Sequence, residues 1–313
     1  MKIHKKFENI PTDFKNAVVA LGNFDGVHRG HQCVIGEAKN KAVKLGAPLI
    51  LLTFSIHPRR FFQPDTEPFI ITPLEGKIPL LKALGVDGVI ALDFASVKDM
   101  SAEDFITKIL IQGINAQSVS VGYNFQFGKD RLGTSGMLKK CPAFETIISS
   151  QQKSIDGDIF SSTTIRRCIQ NGEIGKATAM LGRPFEISGI IERGQQLGRT
   201  IGFPTANIDL QDFIRPHYGV YAVRVGVDLG ERTHWYDGVA NFGVRPTTNN
   251  PKEVFETHIF DFDEDIYDHP IRVAIISFIR AEQKFENFDA LKEQITKDCL
   301  TAKRIHALRE AGA

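Results

Sequence analysis

The chain has 313 residues, 42% hydrophobic and 24% charged, and its 38 basic and 37 acidic side chains leave a formal net charge of +1. That length accommodates two domains with separate cores, and the composition is globular rather than disordered. The charge balance gives no global case for nucleic acid, and no apolar run is long enough to cross a bilayer, so neither is expected as a partner; self-association stays open. Four scattered cysteines (Cys33, Cys141, Cys168, Cys299) without a C-x-x-C pair read as reduced thiols, and the opening residues lack a signal-peptide core, so the expected location is cytoplasmic.

In chain order, apolar strand patterns at residues 17–21, 49–54, 88–92 and 118–121 alternate with helical patterns at 32–45, 74–84 and 102–111. Thr72-Pro73 and Ser101 offer helix starts, while Gly46, Gly85 and Gly113 offer stops. This alternation predicts a doubly wound α/β unit with a parallel sheet, whose ligands bind beyond the carboxyl ends of the strands.

The first strand runs into Gly22-Asn23-Phe24-Asp25-Gly26-Val27-His28-Arg29-Gly30-His31. A Gly-rich turn feeding a helix brings backbone N–H groups to an anion, and His28 and His31 can donate to a phosphate whose charge changes during reaction. No Walker-type lysine follows, and the glycine spacing is not the dinucleotide fingerprint. The turn therefore reads as a nucleotidyl-transfer site. His57 precedes a proline and is biased towards extended backbone that could aim it into a cleft. At 161–167, Ser161, Ser162 and Thr163 open a helix whose early turns carry Arg166. Cations there oppose the helix dipole at a cost of about 0.3–1 kcal/mol, a conflict that a bound pyrophosphate or nucleotide phosphate would remove.

After Gly182-Arg183-Pro184 the pattern changes. Residues 187–191, 219–227, 235–242, 254–262 and 271–280 read as successive strands, followed by one amphipathic helix over 287–308 with Phe288, Leu291, Ile295, Ala302 and Ile305 on its apolar face. That predicts an antiparallel barrel or sandwich. Domains of 1–183 and 184–313 are expected. Within the second, Thr205 and Asn207 would point to one side of an extended segment, an oxygen pair that suits Mg²⁺, and Glu256 would share a face with His258.

Two segments carry a resemblance. GNFDGVHRGH at 22–31 resembles the signature of the adenylyltransferase module of bacterial bifunctional riboflavin kinase/FAD synthetases, a branch of the HIGH-type nucleotidyltransferases. GRTIGFPTAN at 198–207 resembles the riboflavin kinase signature of the same enzymes. The resemblance implies a Rossmann-like domain followed by a riboflavin-kinase β-barrel with a C-terminal helix. It implies riboflavin phosphorylation to FMN and FMN adenylylation to FAD, with ATP and Mg²⁺.

Residue by residue, it places ATP and its phosphates at Gly22, Asn23, Phe24, Asp25, Gly26, Gly30, Ser161, Ser162, Thr163 and Arg166, and in the kinase at Gly198, Gly202 and Pro204. It places Mg²⁺ on Thr205 and Asn207, the flavins near His57, Arg59, Asn124, Phe127 and Arg245, and a proton-accepting role on Glu256. Ile56 stands where the family usually has proline, Asn124 where many members carry Asp, and Asp268 where Gly is frequent. The adenylyl step needs positioning and charge stabilisation, because a phosphate nucleophile is already ionised; an alcohol nucleophile needs a base. Two alternatives remain: one half inactive, or a flavin-binding regulator without turnover. A tRNA-type HIGH enzyme is disfavoured by the charge balance.

Overall fold

β-Branched, uninterrupted apolar runs pair most stably where both faces are covered, and the first half of this chain is built on such runs. The computed structural model describes residues 1–154, 157–192, 203–228, 232–245, 252–264, 266–267 and 269–312, with backbone alone at 245 and 252. The chain divides into two compact units, Met1–Glu67 with Pro73–Ser162, and Pro68–Thr72 with Thr163–Ala313.

In the first unit the strands are β1 (Lys2–His4), β2 (Val18–Leu21), β3 (Leu49–Phe54), β4 (Gly88–Leu92), β5 (Ser118–Gly122), the short ribbon β6 (Gln126–Phe127) and β7 (Gly133–Thr134), and β8 (Glu145–Ser149). The main sheet runs β1-β4-β3-β2-β5-β8, every pair parallel. The order turns back between β2 and β5, so the carboxyl end of β2 lies at the topological switch, the position where open α/β sheets bind ligands. The helices are α1 (Arg29–Leu45), α2 (Pro58–Phe62), α3 (Leu74–Ala83), α4 (Phe94–Val97), α5 (Ala102–Asp104) and α6 (Ser135–Lys140). Strand alternation sends Val18 and Ala20 of β2 to the layer with Val34, Ile35 and Ala38 of α1, and Val19 and Leu21 to the layer with Phe105 and Ile109. Each such fully buried Val, Leu or Ile contributes about 1.5–3 kcal/mol.

In the second unit, α7 (Ser162–Gln170, its first residue counted with the first unit) and α8 (Ile174–Leu181) precede β9 (Phe185–Glu192), β10 (Ala206–Ile208), β11 (Gly219–Asp228), β12 (Thr233–Arg245), β13 (Lys252–Ile259), β14 (Pro270–Ala281) and α9 (Phe288–Glu310). The strands close a six-stranded antiparallel barrel in the order β10-β13-β12-β11-β14-β9. Helix α9 packs Cys299 and Ala302 on Val220, Ala222, Val239 and Phe260. Residue Ile70 of the 68–72 segment joins this unit through its amide to the Asp212 carbonyl (3.0 Å) and its carbonyl to the Ile214 amide (2.9 Å).

Several local expectations change. Helix α1 begins at Arg29 rather than residue 32, because the His28 side chain caps it. Thr72 does not cap α3; its hydroxyl instead accepts from Arg183 at 3.3 Å. Gly113 is the last residue of a wide-turned helix over Phe105–Gly113. Gly46 ends α1 and Gly85 follows α3 in the left-handed conformation, with φ of 61° and 83°, and Gly182 ends α8 in the same way at 74°. Phe288 is 57% exposed rather than on the buried face of α9. The compact units part at Ser162/Thr163, ahead of the 183/184 boundary read from sequence. The cause is α8, which buries Ala177, Met180 and Leu181 in the second unit.

Candidate active sites

The turn after β2 is held by its carbonyls. The Asn23 carbonyl accepts from Lys77 Nζ at 2.8 Å and from Thr53 Oγ1 at 3.3 Å; that of Asp25 accepts from Ser162 Oγ at 2.9 Å; that of Val27 accepts from Gln32 Nε2 at 2.9 Å. Four side chains from separate parts of the unit thus turn the carbonyl edge inward, an arrangement that suits an anion on the amide edge. The backbone is strained there. Phe24 and Val27 sit at φ of 49° and 42°, a region costly for a β-branched side chain, and Gly26 at 85°.

His28 and His31 stack with ring centroids 3.6 Å apart and planes 21° from parallel, and Phe24 meets His31 edge-on at 5.2 Å. The His28 Nδ1 accepts the His31 amide at 3.3 Å, so a neutral His28 carries its proton on Nε2. A side chain at Gly30 would stand 3.1 Å from the His28 ring and 3.2 Å from the Phe160 carbonyl, and one at Gly22 would stand 3.2 Å from the Phe24 ring. These distances are tighter than ordinary contact, so a side chain at either position would have to push its neighbour aside by a few tenths of an ångström. Asp25 and His28 are buried; they are part of the turn's interior as well as its chemistry.

The remaining residues expected at the first site fall on both compact units. His57 is extended and caps α2, its Nδ1 accepting the Arg59 amide at 3.1 Å, while exposed Arg59 donates to Thr66 Oγ1 at 3.2 Å. Asn124 is exposed. Phe127 is a core residue, 6% exposed and packed on Phe105 and Phe125, so it supports the loop from beneath and is not an exposed contact. Within the second unit, Arg166 Nε donates to the Phe69 carbonyl at 2.7 Å and its guanidinium lies 5.3 Å from the Phe69 ring. Ser161 and Thr163 flank the hydroxyl of Ser162 that holds the turn.

On the barrel, Glu256 of β13 pairs in register with Asn207 of β10 on one side and Asn241 of β12 on the other. Directly opposed residues share a face with Cβ atoms about 4.5–5.5 Å apart, so these three form one polar row. The alternation is clear: Glu256 and His258 are half-buried, while Phe255 and Thr257 are fully buried. The His258 ring shares a hydrogen bond with the Pro204 carbonyl at 2.8 Å and meets Phe203 edge-on at 5.5 Å. Burial holds the His258 pKa below its ordinary value, leaving the ring neutral at pH 7.

Beside it opens a cavity of about 330 Å³ lined by Pro204, Thr205, Ala206, Thr257, Asp263 and Tyr267 among others. Thr205 lines it; Asn207 and Glu256 do not. The buried Thr257 hydroxyl beneath has no partner among the described residues. Gly198, Gly202 and Asp268, and the side chain of Arg245, lie outside the described residues.

Sequence reasoning missed Lys77, Thr53 and Asn241 as site residues. A lysine on an amphipathic helix and a threonine in an apolar strand carry no local signal. That Asn241 lies beside Glu256 follows only from barrel register.

A strained, Gly-rich turn at the switch point of a parallel sheet, and a carboxylate in a polar row on a closed barrel, are the layout of a two-module enzyme class that works on nucleotides. Residues 10–164 match the FAD synthetase family model and 181–306 match that of riboflavin kinase. The chain is 38% identical over 306 residues to the bifunctional riboflavin kinase/FMN adenylyltransferase of Haemophilus influenzae, covering 97% of this chain and 98% of that protein. It is 39% identical to the Bacillus subtilis protein of the same name, covering 90% of each.

A crystal structure described as a macrolide-efflux protein from Streptococcus pneumoniae superposes with a TM-score of 0.83 at 32% identity, covering 95% of this chain and 96% of that one. That description concerns the streptococcal protein; here no helix among the described residues is long and apolar enough to cross a membrane. The chain belongs to the bifunctional riboflavin kinase/FMN adenylyltransferase family.

Proposed function

We propose that this chain phosphorylates riboflavin to FMN at the barrel and adenylylates FMN to FAD at the turn after β2, using ATP twice. The observation that carries the reading is the coincidence of the two family matches with two chemically distinct sites, a Gly- and His-rich turn in the first unit and the row of Glu256, Asn207 and Asn241 on the barrel.

At the first site, FMN phosphate attacks the α-phosphorus of ATP and pyrophosphate leaves. The nucleophile is already ionised, so the residues position and stabilise charge. His28 and His31 donate to the transferring phosphate, and the amides around Gly22–Gly26 and the N-terminus of α1 hold the neighbouring phosphates; Ser161, Thr163 and Arg166 are the residues that the family resemblance assigns to the departing pyrophosphate. His57, Arg59 and Asn124 take the flavin side. At the second site, Glu256 accepts the proton of the riboflavin 5′-hydroxyl as it attacks the γ-phosphorus of ATP, and ADP leaves.

Thr205 and Asn207 supply neutral oxygen donors of the kind Mg²⁺ takes alongside phosphates and water. They would hold the ion, whose contribution when bound is to neutralise phosphate charge. Pro204 and the glycines 198 and 202 approach the nucleotide. The functional boundary is placed near 183/184, the partners are small molecules, and self-association is compatible with either module. Four unpaired cysteines suit a reducing, cytoplasmic location.

The test is incubation of the full chain with riboflavin, ATP and Mg²⁺ followed by chromatography of the flavins. FMN appearing first and FAD second is expected. Accumulation of FMN alone, or of neither, would reduce the reading to a single activity or to a flavin-binding protein.

A further inference from the structure

Lysine is almost never buried unless its ammonium is paired, and Lys77 on α3 is only 7% exposed. Its Nζ donates at 2.8 Å to the Asn23 carbonyl, 54 residues away in the chain, and Thr53 Oγ1 donates to the same oxygen. Asn23 is the last residue before the strained stretch in which Phe24, Gly26 and Val27 all take positive φ. A conformation of that kind persists only where the surroundings over-determine it. Ser162 secures the middle of the turn and Gln32 its exit; Lys77 and Thr53 secure its entrance. Of these four holding side chains, Lys77 alone brings a positive charge.

We propose that Lys77 is a positioning residue for nucleotidyl transfer: by clamping the Asn23 carbonyl it sets the strained turn, and with it the His28 and His31 donors, at the spacing the transferring phosphate requires. The inference rests on the reading of this turn as the FMN adenylylation site. Lys77 does not touch the reacting atoms. It acts through backbone, so its removal lowers the rate of transfer more than the affinity for ATP. Thr53 shares the load on one oxygen, so the two residues are energetically coupled.

The experiment uses the full-length chain and its two activities. Lys77→Met keeps the apolar stem and deletes the donor. Its kcat for FAD formation is expected to fall on the order of 10²-fold, with the KM for ATP changed far less and riboflavin phosphorylation by the same molecules unchanged. Lys77→Arg, which restores a charged donor, recovers most of the rate. Thr53→Val combined with Lys77→Met loses less than the product of the two single losses.

Wild-type kcat in Lys77→Met, or a loss expressed mainly in KM, or no recovery by arginine, would overturn the proposal. If Lys77→Met does not accumulate as folded protein, Lys77→Gln, which keeps a polar head without the charge or the reach, is read against the same outcomes. His28→Ala is measured in parallel. If it leaves FAD formation intact, the reading of the turn fails; if it abolishes FAD formation while Lys77→Met does not, only the role of Lys77 fails.

Discussion

Glu256 stands directly across the β-ladder from Asn207, and Asn241 stands directly across from Glu256 on its other side. On one face the carboxylate is flanked by two side-chain amides. The amides supply neutral hydrogen-bonding partners within reach, at Cβ separations of about 4.5–5.5 Å. The same juxtaposition sets the expected base beside the expected Mg²⁺ donor, residues 49 positions apart in the chain.

Glu256→Gln keeps the shape and the neighbours but removes the proton acceptor. Riboflavin phosphorylation is expected to fall about 10²–10⁴-fold, with riboflavin and ATP binding retained and supplied FMN still converted to FAD. Both products are followed in one chromatographic assay. Wild-type phosphorylation would leave substrate-assisted deprotonation as the better account.

His28→Ala and His31→Ala should each depress FAD formation on the order of 10²–10³-fold, the usual effect of removing one positioned donor from a transferring phosphate. Riboflavin phosphorylation should stay near wild type, because His28 and His31 stack within the first unit. His28→Ala should also cost stability, since that ring caps α1; about 1 kcal/mol is typical for a lost cap. Denaturant unfolding of each variant separates the two effects. A slowed kinase step with normal FAD formation would reassign the turn.

Helix α9 is tied to the barrel by Arg280, whose guanidinium donates to both carboxylate oxygens of Asp298, Nε at 2.9 Å and Nη2 at 2.7 Å, with Gln294 adding a third bond at 2.9 Å. The Asp298 side chain is 6% exposed and that of Arg280 21%. Asp298→Ala leaves a largely buried guanidinium unpaired, a change that costs about 3–5 kcal/mol. Kinase activity should therefore be lost at a lower temperature than in wild type. A loss under about 1 kcal/mol by denaturant titration would mean that Cys299 and Ala302 hold the helix by packing alone.

Fragments beginning at 163 and at 184 should both lack FAD synthesis and retain riboflavin phosphorylation, but the longer one should be the more stable. Cutting at 184 removes α8, whose Ala177, Met180 and Leu181 are buried, and exposes the apolar surface they cover. Thermal unfolding of the two fragments decides this. Equal stability would return the boundary to 183/184, and FAD made by either fragment would undo the division of labour.

The sequence by itself determined the elements and most of the chemistry. Runs such as 18–21 and 49–54 are apolar without interruption, and the period-2 polar positions Glu256 and His258 are visible in any reading of 255–262. Local signals also mark the capping at Ser101 and the left-handed Gly46 and Gly85, because caps are chosen by residues adjacent in the chain. Tertiary structure alone decided which distant residues meet. That α8 belongs with the barrel, that the polar Asp298 and His306 are buried among the apolar positions of α9, and that Asn241 joins the row of Glu256 all depend on packing partners and strand register.

Lys77 is the sharpest case. On the helix it is one more lysine, and only the approach of α3 to the turn after β2 gives its ammonium a carbonyl to hold. A hydrogen bond across 54 residues leaves no trace in local periodicity, because its geometry is set by the sheet and helices between its ends.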